Sequence, residues 1–302
     1  MRAYVTGASG FVGGWLSAHL ERAGDEVVGT NAEVDVTDAE AITASVVGCA
    51  PDVVYHLAAL SHVGRSWSDP TRTFEVNALG TLQVLEAAGR CAAPPVVLVV
   101  SSAEVYGNTP GEAPLTEEAE LRPVTPYASS KVAAEYLAVQ AWLGRGVRAI
   151  RVRPFNHVGP GQSQDFVVSA LAGRIAEAER VGGGRVRVGN LEASRDFTDV
   201  RDVVGAYRLL AEQGVSGEVY NVATSHSVTI ADVARQLCAL ATVEVELVPD
   251  PDLMRPVDVP VFVGSASRLR AATGWAPQIP LRTTLADMFD FWRRQPAEPL
   301  SR

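Results

Sequence analysis

Tyr127 and Lys131 stand four positions apart in Pro126-Tyr127-Ala128-Ser129-Ser130-Lys131, a stretch that continues through Val132-Ala133-Ala134-Glu135-Tyr136-Leu137 as helix. At about 3.6 residues per turn, positions i and i+4 share one face, so a phenol and an ammonium can point at the same bound molecule. Two unit charges about 4 Å apart interact by roughly 4 kcal/mol at an effective dielectric of ~20, equivalent to about three pK units. The expectation is a phenol drawn down from its ordinary pKa of about 10 towards the range where it passes a proton at neutral pH. Lys131 is also the only lysine among 26 Lys and Arg residues. A chain that uses Arg at every other cationic position keeps here the compact, rotatable ammonium that a planar guanidinium cannot replace.

Such a pair needs a ligand, and the N-terminus offers one. The apolar run Arg2 to Thr6 leads into Gly7-Ala8-Ser9-Gly10-Phe11-Val12-Gly13, and Leu16, His19, Leu20 and Ala23 follow at helical spacing. This is strand, glycine turn, helix. Gly7 permits the tight turn, Gly10 lets the backbone approach a pyrophosphate, and Gly13 lets the helix pack on the strand. The helix N-terminus then faces the phosphates of NAD(H) or NADP(H). An acid at the end of the second strand, Glu26 to Thr30, would favour NAD and an arginine NADP; Thr30 and Asn31 are neither. Val34-Asp35-Val36 reads as a short third strand, with Asp35 either a partner of the adenine amino group or a cap for the helix starting at Asp38. Val53 to Ala59 is a buried strand running into Leu57, Ala58 and Ala59, with Ser61, His62 and Ser66 at its mouth. Val96 to Val100 leads into Ser102 and Glu104. Ligands of open parallel sheets bind beyond the carboxyl ends of strands, so Ser102 can donate to a substrate carbonyl and Glu104 can act as acid or base.

The elements that must hold these groups alternate strand and helix, which points to an α/β, Rossmann-like, doubly wound parallel sheet. Asp69 to Gly89 reads as one long helix with Asp69 as N-cap, Pro70 at its first position and Asn77 inside. Val147 to Val152 is a further strand, and the Gly/Pro-rich segment Pro154 to Gln162 reads as irregular chain leaving the cofactor domain. Beyond it lie helices near 166–180, 200–213, 229–240 and 281–293, and short strands near 185–188 and 244–248. The expected division is a dinucleotide-binding domain over 1–155, with a returning segment near 200–223, and a substrate lobe from 156–199 and 224–302. The 302 residues, 47% hydrophobic and 20% charged, are ample for this core. A net charge of −9 with scattered arginines argues against a nucleic-acid surface, and no apolar run approaches the ~20 residues of a membrane span. Cys49, Cys91 and Cys238 are odd in number and in no metal-ligand spacing. With a strand beginning at the N-terminus and no basic-then-apolar leader, a cytoplasmic protein without a metal is expected.

Gly7-x-x-Gly10-x-x-Gly13 with Tyr127-x-x-x-Lys131 resembles the extended short-chain dehydrogenase/reductase superfamily over essentially the whole chain. The finer resemblance is to its GDP-sugar branch, the GDP-mannose 4,6-dehydratases and the GDP-4-keto-6-deoxy-mannose reductases. It rests on Ser61-His62-Val63, Phe155-Asn156-His157, Gly189-Asn190-Leu191-Glu192 running into Arg195-Asp196-Phe197, and Arg255-Pro256-Val257-Asp258-Val259. The segments Asn156 to Gln162 and Gly189 to Asp202 most resemble the reductases.

The resemblance implies roles. Tyr127 would exchange the proton with the sugar oxygen, Lys131 would hold the nicotinamide ribose and polarise the phenol, and Ser102 would bond the sugar oxygen. Asn156, Arg195 and Arg255 would line a nucleotide-sugar site together with Ser61, His62, Glu104, Val188, Asn190 and Asp258. The two arginines suit a diphosphate; otherwise they form surface ion pairs with Asp196 and Asp258. Cofactor contacts would come from the glycine turn, Thr30, Asn31, Asp35, Val36 and Leu57 to Ala59, and from Ser61, Asn77, Pro154, Phe155 and His157. The dehydratases use the glutamate matching Glu104 as base, with a polar neighbour where this chain has Ala103, and carry a long arginine-containing loop after the second strand that it lacks. The expected activity is therefore NAD(P)-dependent reduction of a nucleotide-linked, GDP-favoured 4-keto-6-deoxyhexose. The alternatives are a dehydratase, then a sugar-nucleotide epimerase, and outside enzymes a cofactor-sensing regulator. Helices near 71–89 and 127–143 would pair two subunits in a homodimer, as relatives do.

Overall fold

Strands buried on both faces carry apolar residues at every position rather than alternating ones. Arg2–Thr6 (β1) shows the pattern: Ala3 and Val5 enter the core on one side of the sheet and Tyr4 the core on the other. The computed structural model describes residues 1–108, 113–253 and 259–296. In chain order the further strands are β2 (Glu26–Thr30), β3 (Val53–His56), β4 (Val96–Val100), β5 (Arg148–Pro154), β6 (Asn156–Val158), β7 (Gly184–Val188), β8 (Ser194–Asp199), β9 (Val219–Val222), β10 (Ser227–Thr229), β11 (Val245–Pro249) and β12 (Val261–Phe262). Six of them form a parallel sheet in the order β2-β1-β3-β4-β5-β9. Helices Phe11–Arg22 and Val200–Gln213 cover one face, and Ala39–Cys49, Gly80–Gly89 and Pro126–Arg145 the other. This is the Rossmann-like architecture expected from the alternation. The chain passes from β1 to β2 on one side and then crosses from β2 to β3 on the other side of β1, so a crevice opens between the carboxyl ends of β1 and β3.

The predicted third strand at Val34–Val36 does not form. Asn31 to Thr37 is a pair of turns, and β2 is the sheet edge. A parallel neighbour needs a crossover of about a dozen residues, and only three separate Thr30 from Val34. Nor does Asp35 cap the next helix. Its Oδ1 accepts from the Thr37 amide and hydroxyl at 2.9 and 2.8 Å, while Asp38 receives the Glu40 and Ala41 amides, both at 3.0 Å. The expected long helix after Asp69 is continuous, capped by Asp69 on the Arg72 amide at 3.0 Å, but it widens into a π-turn over Glu75–Leu79 around Asn77. Pro154 to Gln162 is not wholly irregular either: β6 pairs with β8, so Asn156 sits opposite Phe197.

β9 returns to the sheet beside β5, and the residues between them build most of a second layer. There β8 pairs with β6, β10 and β12, and β7 with β11, under helices Val167–Arg180, Ile230–Leu240 and Leu281–Arg294. The two layers have their own apolar cores.

Candidate active site

Helix Pro126–Arg145 begins where it does because the Thr125 hydroxyl accepts the Ala128 amide at 3.0 Å and Pro126 fills the first position. Its buried face then meets three consecutive residues at the carboxyl end of β4. Lys131 Nζ donates to the Val100 carbonyl at 2.8 Å, and Glu135 Oε1 accepts the Ser101 hydroxyl at 2.6 Å. One turn earlier, Tyr127 lies within electrostatic reach of the Ser102 hydroxyl and of Glu104. The Ser102 oxygen also accepts the Glu104 amide at 3.2 Å. The four candidate catalytic residues are thus gathered at one strand end.

The electrostatics differ from the expectation. Burial pushes the Tyr127 phenol up to about 12, against the nearby Ser102 hydroxyl, which favours the phenolate, and with a further rise from Glu104. Lys131, 6.0 Å from the ring centroid and bonded to a carbonyl, does not offset this. Burial also pushes Lys131 down to about 8, opposed by the Glu135 carboxylate one turn on. The free protein therefore holds a protonated phenol beside an ammonium, which is the form of a proton donor.

Glu135 belongs to a buried network that the sequence reading missed. Arg153 of β5 clamps it with Nε at 2.8 Å and Nη2 at 2.6 Å, and Arg153 Nη1 donates to the Tyr106 hydroxyl at 3.0 Å. That hydroxyl donates to Asn221 Oδ1 of β9 at 2.7 Å. A usable signal was present: β5 carries Arg148, Arg151 and Arg153, of which Arg153 lies deepest, and an arginine buried in a doubly covered strand needs a carboxylate.

On the cofactor side Gly7 adopts φ +70, and a Cβ there would approach the Ala58 amide to 3.0 Å; at Gly13 it would meet the Gly7 carbonyl at 2.2 Å. Gly10 ends the turn with no side-chain cap on helix Phe11–Arg22, leaving its first amides for an anion. Thr30 O accepts the Gly7 and Ala8 amides at 2.8 and 3.2 Å, and Asn31 Oδ1 the Ser9 amide at 2.5 Å. These residues fit a dinucleotide: the glycines and helix start would hold its pyrophosphate, and Lys131 its nicotinamide ribose. Leu57 to Ala59 continue from β3, and a second missed network fixes them. The Ala58 amide donates to Thr6 Oγ1 at 3.1 Å, Thr6 bonds His56 Nδ1 at 2.9 Å, and His56 Nε2 bonds Thr81 Oγ1 at 3.0 Å, which donates to the Asn77 carbonyl at 2.6 Å. The donor sequence assigns the proton to Nε2, and burial beside Lys131 pushes His56 down to about 3, so it stays neutral.

Several candidate contacts are occupied by the protein itself. Asn77 is buried, accepts the Leu60 amide at 2.8 Å and donates to the Leu60 carbonyl and Ser130 Oγ at 3.1 and 2.9 Å, so it holds the β3 loop to the Tyr127 helix. The Phe155 ring lies in the core between Tyr106 and Phe262, at 6.1 and 5.2 Å, following the buried Pro154. Val36 packs against Gly80 and Val188 is buried in the lobe. Ser66 is buried with its hydroxyl on Val63 O, away from the mouth, whereas Ser61 is exposed. His157 stacks on Phe11 at 6.2 Å and donates Nδ1–H to Phe155 O at 3.2 Å. His62 caps the helix Val63–Ser68 through Nδ1 and, with Arg65, faces Asp165 of the lobe at 3.9 and 3.5 Å. Arg195 on β8 is half-buried and donates to the Ser194 and Val259 carbonyls at 2.8 and 2.7 Å. Asp196 is no surface partner for it: fully buried, it takes the amides of Thr224, Ser225 and Gly264. Asn190 caps the Glu192 amide. Arg255 and Asp258 lie outside the described residues. Among the described residues no group of His, Cys, Asp and Glu is arranged to hold a metal ion, and no helix is long and apolar enough to cross a membrane.

The model of the GDP-mannose 4,6 dehydratase family matches residues 31–288. The chain belongs to that family. It is accordingly an NAD(P)-dependent enzyme of the extended short-chain dehydrogenase/reductase type. Within the family's wider circle it is 37% identical over 301 residues to a GDP-6-deoxy-D-mannose reductase of Pseudomonas aeruginosa, covering 98% of this chain and 99% of that one. The solved structure of RMD from Pseudomonas aeruginosa complexed with NADPH superposes with a TM-score of 0.87 at 37% identity, covering 97% of this chain and 98% of that one. A UDP-glucose 4-epimerase of Thermus thermophilus in complex with NAD gives 0.86 at 28% identity, over 97% and 99%. Solved members of the fold thus hold either nicotinamide dinucleotide.

Proposed function

We propose that the enzyme reduces the C4 ketone of GDP-4-keto-6-deoxy-D-mannose, giving GDP-D-rhamnose. The observation that carries this reading is the end-to-end likeness to the Pseudomonas aeruginosa GDP-6-deoxy-D-mannose reductase. The site supports it. A ketone being reduced needs a proton donor in hand, and Tyr127, pushed up to about 12, is in that form at neutral pH. The bound reduced nicotinamide supplies the hydride. Ser102 orients the carbonyl, Tyr127 gives its proton to the new alkoxide, and the Lys131 ammonium offsets the phenolate that remains. Asn156 and Arg255 would line the nucleotide-sugar site, whereas Arg195 is held by the Ser194 and Val259 carbonyls.

Glu104 beside the phenol favours one second reading, a dehydratase that removes water across C5–C6. Its neighbour Ala103 is apolar and buried, which speaks for the reductase. Incubation with GDP-mannose separates the two. The reductase leaves GDP-mannose untouched and oxidises one reduced cofactor per keto-sugar supplied. A keto-sugar formed from GDP-mannose without added reduced cofactor would make the enzyme a dehydratase.

The enzyme works in this reading as a cytoplasmic homodimer. Tyr136 and Leu143, 64% and 69% exposed, stand two turns apart on helix Pro126–Arg145, and Phe74 and Leu79 are exposed on its neighbour. Cys49, Cys91 and Cys238 are free thiols, as a reducing compartment requires. Light scattering should give twice the 32.0 kDa chain mass, and Tyr136→Glu with Leu143→Glu should give the single mass. A wild type of single mass would end the dimer.

A further inference from the structure

We propose that Glu33 makes this enzyme select NADH over NADPH. The inference rests on the cofactor crevice and not on the identity of the sugar. An acid about twenty residues beyond the glycine turn takes the adenosine ribose 2′-hydroxyl of NAD, whereas NADP needs a cation at the same place. No acid ends β2, but the turns that replace the expected third strand carry one back. Glu33 lies twenty residues after Gly13, and its Oε1 accepts the Asn31 amide at 2.8 Å. Asn31 is itself bonded through Oδ1 to the Ser9 amide of the phosphate turn, and Thr30 to Gly7 and Ala8. The carboxylate is therefore pinned beside the turn that cradles the pyrophosphate. Glu33 is exposed, and its Oε2 has no hydrogen-bond partner among the described residues. A carboxylate oxygen so placed accepts a hydroxyl and repels a phosphate.

The surrounding charge has the same sign. From Thr30 to Glu40, beyond the carboxyl end of β2, the chain contains no Lys or Arg, but it contains Glu33, Asp35, Asp38 and Glu40. Arg72 faces this rim, with its Nη2 3.4 Å from Asp35 and its Nη1 3.3 Å from Glu75. It is already shared between two carboxylates. A 2′-phosphate, with between one and two negative charges, would enter next to Glu33 and Asp35 without a guanidinium of its own. The Pseudomonas aeruginosa relative was solved with NADPH, so the preference assigned here is a property of this chain's own residues.

Calorimetric titration of the full chain, freed of bound nucleotide and without any sugar, reads the dissociation constants for NADH and NADPH directly. NADH should bind at least about tenfold more tightly. Glu33→Gln should bring the two constants within about threefold, because the amide no longer repels phosphate, and Glu33→Arg should reverse their order. A wild type that binds NADPH as tightly as NADH, or a ratio unmoved in Glu33→Gln, overturns the proposal. Binding of neither nucleotide would overturn it together with the cofactor crevice. Failure to reduce the keto-sugar, with the NADH preference intact, would count against the sugar assignment alone.

Discussion

Tyr127→Phe is expected to lower turnover by at least about a hundredfold while changing cofactor affinity by less than about threefold. The substitution removes one oxygen from a buried ring and keeps its shape. On the proposed mechanism, what is lost is the proton for the alkoxide. Single-turnover measurement with saturating reduced cofactor isolates the step, and retained turnover would remove the mechanism. The wild-type pH profile carries a second mark of the same site. kcat/KM reports ionisations of the free enzyme, in which Lys131 is pushed down to about 8. The ammonium that offsets the phenolate is present below that pH and lost above it, so kcat/KM should fall as pH rises through about 8.

Arg153→Met is expected to destabilise the fold by about 3–5 kcal/mol, since it leaves the Glu135 carboxylate buried without its clamp. Glu135 is 1% exposed, and Arg151 at 3.8 Å compensates only in part. The double change Arg153→Met with Glu135→Leu should recover most of the loss, because neither charge then remains to be solvated. Urea denaturation of the three variants measures this. A double variant no more stable than Arg153→Met alone would show that the damage lies in packing around Tyr106 and Asn221 rather than in the orphaned charge.

The architecture was legible because both kinds of period were clean: strands such as β4, apolar at every position, and the Val200–Gln213 helix, whose observed ends match the expected ones. What failed was local. Val34 to Val36 has strand-like residues, but no crossover long enough to bring it parallel to β1. Asn156 to Val158 looks like loop, and pairs with β8 only because the lobe supplies an edge. Ser102, Glu104, Tyr127 and Lys131 stand as neighbours, as expected, since a strand end and a helix face determine where they lie. Their electrostatics differ from the expectation, because a charge-pair estimate assumes partial solvation, and Tyr127 lies in a site where burial outweighs the lysine. Glu135 with Arg153, and His56 with its two threonines, were invisible for a simpler reason. Each joins residues from strands and helices far apart in sequence, and no spacing along one element announces them. Glu33 lies three residues past the end of β2, beyond the Thr30 and Asn31 positions where the sequence pattern places the ribose-binding acid.

The late return of β9 also bears on how the chain is made. β5 is completed at Pro154, yet its neighbour in the sheet is not synthesised until Val222. During that interval the growing protein carries an open row of amides and carbonyls along β5 while the lobe is still emerging. Such a row invites pairing with other chains. A product halted anywhere between these points would expose that edge and lack the sheet's last strand.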